Sequence, residues 1–254
     1  DLKADFIMAN PPFNQKDWRG DNELTTDPRW AGYDVPPVSN ANYGWILHMA
    51  SKLSSNGVAG FLLANGALGD SDTLGIRKQI IKNHLIEAII VLPRDMFYST
   101  DISVTLWILN KNKQARSIEH NGDMVKYRDR QDEILFMDLR RKGEEYEKKY
   151  IQLTDDNIQE VVSIYHSWQR EGFEKNYKNI PEFCYSANIE EIEKNNWSLI
   201  PSKYIEFVDR DSKIDYDKEM KRIQKQFTNI LAEEKDSQEK LMEAFKHLGY
   251  EIEL

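Results

Sequence analysis

In "FIMANPPFN", residues 6–14, an apolar run breaks off at an amide, two rigid imino acids and an aromatic ring: Asn10, Pro11, Pro12 and Phe13. Prolines end a strand because they fix φ and give no N–H to a ladder. These residue types suit chemistry on a conjugated amine, such as methylation of the exocyclic nitrogen of adenine. That nitrogen is a poor nucleophile because its lone pair is delocalised into the ring. Two acceptors, the side-chain oxygen of Asn10 and the backbone carbonyl of Pro11, can take its two N–H protons, draw the lone pair out of conjugation and aim it at an electrophilic methyl. Pro11 and Pro12 add stiffness, since consecutive restricted φ angles hold a carbonyl in place. Phe13 offers a stacking face for a base removed from its duplex, a contact worth about 1–3 kcal/mol per base. Taken alone, the same four residues also fit a plain strand-to-loop turn.

Other residues could join such a site. In "PPVSNANYGWILHM", Asn42 is expected to cap a helix; Tyr43, Trp45 and His48 follow as core aromatics, with Tyr43 also a candidate for lining a substrate cleft. His48 is disfavoured as a general base, because an amine that becomes a cation on methylation can lose its proton to water. Phe97 and Tyr98, in "PRDMFYSTDIS", fit either the wall of a cleft or the packing of a hairpin.

The elements that must position these residues follow from periodicity. Residues 1–114 alternate short β-rich runs with amphipathic segments: "ADFIMA", "NYGWILHMASKLSS", "GVAGFLLANG", "DTLGIRKQIIKNH", "LIEAIIVLP" and "SVTLWILNK". Strands spaced by helices predict a mostly parallel sheet with helices on its faces. "GFLLA" and "AIIVL" are apolar at successive positions, as in strands covered on both sides. "SVTLWILNK" follows its predecessor without a helix, which predicts an antiparallel edge strand. A doubly wound sheet binds ligands at the carboxyl ends of its strands, and Asn10 to Phe13 sit at such an end.

Residues 115–211 are more polar. They hold a predicted strand, "ILFMDL", a helix starting at Thr154 or Asp155 with acids in its first turn, and a short helix "NIEEIEKN". From about residue 212 a long helical pattern carries an apolar seam: Met220, Ile223, Phe227 and Ile230, then Leu241, Ala244 and Leu248 after the polar break at Glu233 to Gln238. That break predicts a kink or a turn. The cluster "RRKGEEYEKK" mixes charge signs, as a solvated face does.

Composition sets the limits. The 254 residues are 40% hydrophobic, enough for a real core, and their net charge of −9 argues against strong autonomous binding to a phosphate backbone. No apolar run approaches a membrane span and no signal-peptide layout opens the chain, so the expected location is cytoplasmic. The single Cys184 leaves no intrachain disulfide and no cysteine-rich metal site, and no metal is expected.

The stretches "KADFIMANPPFNQKDW", "NANYGWILHMASKLSSNGVAGFLLANGAL", "IIVLPRDMFYSTDISVTLWILNK", "ILFMDLR" and "IEKNNWSLIPSKYIE" together resemble the modification subunit of type I restriction-modification systems, adenine-specific DNA methyltransferases that use S-adenosylmethionine. The resemblance implies an α/β fold, part of a Rossmann-like class I methyltransferase sheet whose first strands are missing, with a C-terminal helical extension. It implies Asn10, Pro11, Pro12 and Phe13 as catalytic, and Tyr43, Phe97 and Tyr98 beside the substrate. It also implies DNA, a specificity subunit, a restriction subunit and a second modification subunit as partners. Members of that family bind the cofactor through a glycine-rich turn and a downstream acidic residue that precede the Asn-Pro-Pro motif. Here the motif begins at residue 10, and the glycines of "NGALGDSDTLG" follow the wrong strand. The cofactor-binding residues are therefore expected upstream of this chain, and the chain alone is expected to be inactive. A silent interaction module, or an amino-methyltransferase acting on RNA or protein glutamine, are the alternatives. The implied division is 1–139 as the carboxyl-terminal part of the methyltransferase domain, 140–211 as an accessory segment, and 212–254 as a helical tail for subunit docking.

Overall fold

A parallel pair opens the chain: β1 (Ala4–Ala9) hydrogen-bonds β2 (Leu53–Ala64), joined by a long loop and by α1 (Asn42–Lys52). The computed structural model describes residues 2–98, 102–120, 122–147, 149–173, 176–208 and 215–250. After β2 come α2 (Leu74–Lys82), β3 (Ile86–Val91) and β4 (Val104–Asn110). Then follow β5 (Arg116–His120), β6 (Asp123–Tyr127), β7 (Glu133–Asp138), β8 (Glu144–Tyr146) and β9 (Tyr150–Gln152). The chain continues through α3 (Asp155–Gln169), β10 (Cys184–Asn188), α4 (Ile189–Lys194) and α5 (Tyr216–His247). The main sheet has the order β1-β2-β4-β3-β7-β10, while β5-β6 and β8-β9 form separate two-stranded sheets.

Strands β1, β2, β3 and β7 run one way and β4 and β10 the other. The mostly parallel α/β fold expected from sequence is thus present. Helices α1 and α2 pack one face through Ile46, Leu47, Ile76 and Ile80, against Phe61, Leu63 and Phe136 of the sheet. On the other face Trp168 of α3 packs with Ala88, Ile90, Leu135 and Met137. Covered on both faces, β3 is buried at every position, which explains its uninterrupted apolar run.

Three expectations are corrected. Strand β4 is antiparallel but lies inside the sheet, between β2 and β3, with Trp107 and Leu109 fully buried. Its continuous "VTLWIL" run carries that information, whereas connection length alone suggested an edge. Strand β1, whose apolar run suggests burial, is itself an edge: Ile7 and Ala9 pack against the core, but Phe6 and Met8 on the other face are 84% and 95% exposed. Finally, α5 runs unbroken through Glu233 to Gln238, because polar residues of good helix propensity interrupt its seam without interrupting its backbone.

The chain divides into two compact units, Asp1–Phe207 and Val208–Leu254. Residues 140–207 include β10, which pairs with β7 from Asn188↔Glu133 to Cys184↔Met137. Helix α3 starts at Thr154 with a capping box to Asn157, and α4 starts at Asn188 with one to Glu191. The "RRKGEEYEKK" cluster is largely neutralised by ion pairs, Arg140 with Asp138, Arg141 with Glu182 and Lys142 with Glu160. In the second unit, α5 exposes Met220, Ile223, Phe227, Ile230 and Leu241.

A buried polar knot ties the far side together. Glu87 of β3 accepts from Gln169 Nε2 at 2.7 Å and from the Tyr165 hydroxyl at 3.2 Å, and pairs with buried Arg130 at 3.4 Å. Beside it, Lys113 Nζ donates to the carbonyls of Ile86 and Glu133 at 2.8 and 2.6 Å.

Candidate active site

The carboxyl ends of β1, β2, β3 and β7 share one end of the sheet, and each leads into a polar or aromatic segment there. Beyond β1 lie Asn10 to Phe13. Beyond β2 is the tight 3-10 turn Asn65–Leu68. Beyond β3 comes the loop with Phe97 and Tyr98, and at the end of β7 stands the pair Asp138–Arg140, bonded at 2.5 Å.

Asn10 is exposed and its carboxamide has no hydrogen-bond partner among the described residues. It lines, with Ile7, Pro11, Pro12, Trp45 and His48, a cavity of about 330 Å³ between β1 and α1. An amide left unsatisfied at a strand end is available to a ligand. Phe13 is half-buried.

The residue after this turn explains how it is held. Asn14 adopts a left-handed backbone, φ 52°, a conformation that asparagine tolerates better than most residues. Its N–H donates to the side-chain oxygen of Asn42 at 3.0 Å, and its own side-chain oxygen accepts from Asn42 Nδ2 at 2.9 Å and Asn40 Nδ2 at 3.3 Å. Asn42 is therefore not the helix cap expected from sequence. It is the buried first residue of α1, and its amide faces the loop. The backbone continues the seam, Ala41 N to Gln15 O at 2.9 Å and Asp17 N to Val38 O at 3.1 Å. Trp18 adds its indole N–H to the Pro37 carbonyl at 2.8 Å.

Tyr43 departs from the cleft-lining expectation. It is 1% exposed, its ring meets Trp107 edge-on, and its hydroxyl donates to the Ala67 carbonyl at 2.9 Å. Burial pushes its phenol up to about 12. It supports the site from behind and presents no ligand-facing surface. His48 lies 3.2 Å from Arg29 Nη1, and burial together with the Arg29 and Lys52 charges pulls it below its usual range.

Phe97 and Tyr98 follow β3, a strand three positions from β1, about 14 Å away at ordinary strand spacing. Tyr98 is 68% exposed, donates to the Tyr146 hydroxyl at 3.4 Å and stacks edge-on with Tyr150, ring centroids 4.6 Å apart. Ile151 N bonds the Asp95 carbonyl at 3.0 Å. The β8–β9 hairpin thus backs this loop. Sequence reasoning missed Tyr146 and Tyr150, and the alternation of tyrosine with charge in "EEYEKKY" was the available signal.

Of the three glycines of "NGALGDSDTLG", Gly69 and Gly75 make room for the protein itself, while Gly66 faces open space. A Cβ on Gly69 would lie 2.9 Å from the Ile200 side chain, and one on Gly75 would lie 2.2 Å from Asp34. Gly69 and Gly75, closed off by Ile200 and Asp34, do not fit a cofactor cradle. Cys184 is buried and free, its thiol pushed up by burial. Among the described residues there is no cluster able to hold a metal ion, and no helix is long and apolar enough to cross a membrane.

Residues 1–213 match the model of the N-6 DNA Methylase family. The chain is 34% identical over 254 residues to the HindI methylase subunit of a type I restriction enzyme from Haemophilus influenzae, covering 99% of this chain and 53% of that protein. It is 32% identical to the MjaIX methylase subunit of Methanocaldococcus jannaschii, covering 98% of this chain and 43% of that one. The chain thus spans about half the length of these curated relatives. Among solved structures it is similar to the type I restriction-modification methyltransferase subunit from Streptococcus thermophilus, with a TM-score of 0.67 and 26% identity over 82% of this chain and 39% of that one.

Proposed function

The chain belongs to the N-6 DNA methylase family, and from that premise we propose that it forms the target-base half of an adenine-specific DNA methyltransferase, working as part of a type I modification subunit. The observation that carries this reading is the unpartnered carboxamide of Asn10, set beside the Pro11 carbonyl at the carboxyl end of an edge strand. In this reading Asn10 and the Pro11 carbonyl each accept one N–H of the adenine amine. The nitrogen lone pair, drawn out of conjugation, would form its bond to the methyl carbon as the carbon–sulfur bond of a sulfonium donor breaks and the neutral thioether leaves, and the nitrogen would then give up a proton to water. No protein base is needed in this reading, and His48 is instead engaged with Arg29. Phe13 stacks on the extrahelical base, with Phe97 and Tyr98 on the opposite side of the cleft.

S-adenosylmethionine is the methyl donor that the reading implies. Since Gly69 and Gly75 serve internal packing, the reading assigns its cradle to residues other than these. The bare face and open outer edge of β1, with Phe6 and Met8 exposed, suit coverage by further strands that would bring that cradle next to Asn10. The net charge of −9 fits a catalytic subunit that reaches DNA through others. A specificity subunit, a restriction subunit and a second modification subunit complete the assembly in this proposal, and α5 is the element offered for docking.

The test is methyl transfer by the complete gene product to duplex DNA, with and without its neighbouring subunits. Methyl groups on adenine N6 that depend on the specificity subunit are the expected result. Transfer to RNA or to protein glutamine in place of DNA would overturn the reading.

A further inference from the structure

We propose that Asn42 is a positioning residue for the methyl-accepting site, acting through Asn14 to set the placement of Asn10 and the Pro11 carbonyl; the inference rests on the function proposed above. The turn has little to hold it in place. Pro11 and Pro12 carry no N–H, and among the described residues no side-chain hydrogen bond reaches any residue from Asn10 to Phe13. The segment is fixed at one end by the β1–β2 ladder, whose last register is Ala9↔Phe61. At the other end the first side-chain anchor is Asn14.

That anchor is built for rigidity. Asn42 is 3% exposed and stands at the start of α1, whose next residue is pinned by the Tyr43 bond to Ala67. Its amide meets Asn14 with a donor and an acceptor at once, at 2.9 and 3.0 Å. Asn40 both receives the Asn42 N–H on Oδ1 at 2.9 Å and gives its own Nδ2 to Asn14 at 3.3 Å. The three asparagines therefore form one closed network between the end of the turn and a helix embedded in the core. Two reciprocal bonds fix direction as well as distance, which a single bond does not. A turn stiffened by two prolines transmits a displacement of Asn14 to the Pro11 carbonyl instead of absorbing it.

The experiment uses the complete gene product with its partner subunits. Asn42→Ala, Asn14→Ala and the double variant are compared in single-turnover methylation, DNA affinity, melting temperature and amide hydrogen exchange. An ångström-scale misplacement of an acceptor lowers the single-turnover rate by roughly 10- to 100-fold, with DNA affinity nearly unchanged. The double variant is expected to be no slower than the worse single one, because both remove the same clamp. Asn42→Asp keeps the oxygen that receives the Asn14 N–H; Asn14 must turn its amide to donate to the second carboxylate oxygen and so gives up the 3.3 Å bond from Asn40 Nδ2, and this variant recovers the rate in part. The Asn14 amide exchanges faster in Asn42→Ala and is restored in Asn42→Asp.

Asn188→Ala, which removes the α4 cap, serves as the structural control. It is expected to lower the melting temperature with little change in rate. If Asn42→Ala methylates at the wild-type rate, or if its loss merely tracks the melting temperature as the control's does, the positioning role is wrong. A wild-type assembly that methylates no adenine overturns the underlying function instead, and is recognised because it fails before any variant is compared.

Discussion

The hydroxyl of Tyr43 donates a 2.9 Å hydrogen bond to the carbonyl of Ala67, joining the first turn of α1 to the tight turn that follows β2. Both groups are buried, so replacing Tyr43 with Phe leaves a carbonyl without a donor. A loss of about 1–3 kcal/mol in denaturant unfolding is expected, together with near-normal methylation by the folded fraction. A large fall in rate without a fall in stability would return Tyr43 to the ligand-facing wall.

Asn10→Ala in the complete gene product removes an acceptor that strengthens as positive charge grows on the amine. The single-turnover rate should fall on the order of 100-fold, while DNA affinity changes little. Phe13→Ala should instead weaken capture of the extrahelical base, by about 1–3 kcal/mol, read from a fluorescent adenine analogue at the target position. Near-normal turnover in Asn10→Ala would remove the role assigned to that amide.

Residues 1–254 by themselves should not bind S-adenosylmethionine, because Gly69 and Gly75 are fitted to Ile200 and Asp34 and, among the described residues, no other glycine-rich turn follows a strand. Titration calorimetry on the isolated chain checks this. Micromolar affinity would place a cofactor site within the chain.

Lys113 makes stability depend on pH. Burial lowers its ammonium from 10.5 to about 8, so the unfolded chain binds this proton more tightly than the folded one. Between pH 8 and 10.5 the unfolded state carries the extra proton, and stability rises with pH across that window. Lys113→Met should abolish that rise and, near neutral pH, cost about 1–3 kcal/mol by stranding the Ile86 and Glu133 carbonyls. Matching pH profiles for wild type and variant would refute the assignment.

The α5 seam has its own test. A lone amphipathic helix is only marginally stable in water, and exposed Phe227 and Ile230 lie on its apolar stripe. Replacing both with Asp should end co-purification with the specificity subunit and leave the Asp1–Phe207 unit folded. Undiminished co-purification at an unchanged melting temperature would exclude docking through this seam.

Local chemistry made much of this protein legible in advance. Two prolines after an apolar run mark a strand end wherever they occur, and Asn10 was readable because its exposed side chain owes little to distant residues. The helix starts at Thr154 and Asn188 depend on partners three residues away, and sequence exposes those directly. Tertiary structure decided whatever depended on residues far apart in the chain. Strand order is one case: β4 lies inside the sheet because β3 crosses beyond it, and the length of a connection does not encode that. The short hairpins β5–β6 and β8–β9 escaped for a related reason, their few polar residues having no pattern until folded. Asn42 is the sharpest instance. Beside a helix start an asparagine reads as a cap, but 28 residues separate it from Asn14, and only the return of the loop along Ala41–Gln15 brings the two amides together. Tyr43 likewise could face a cleft or the core until the turn after β2 put the Ala67 carbonyl within reach of its hydroxyl.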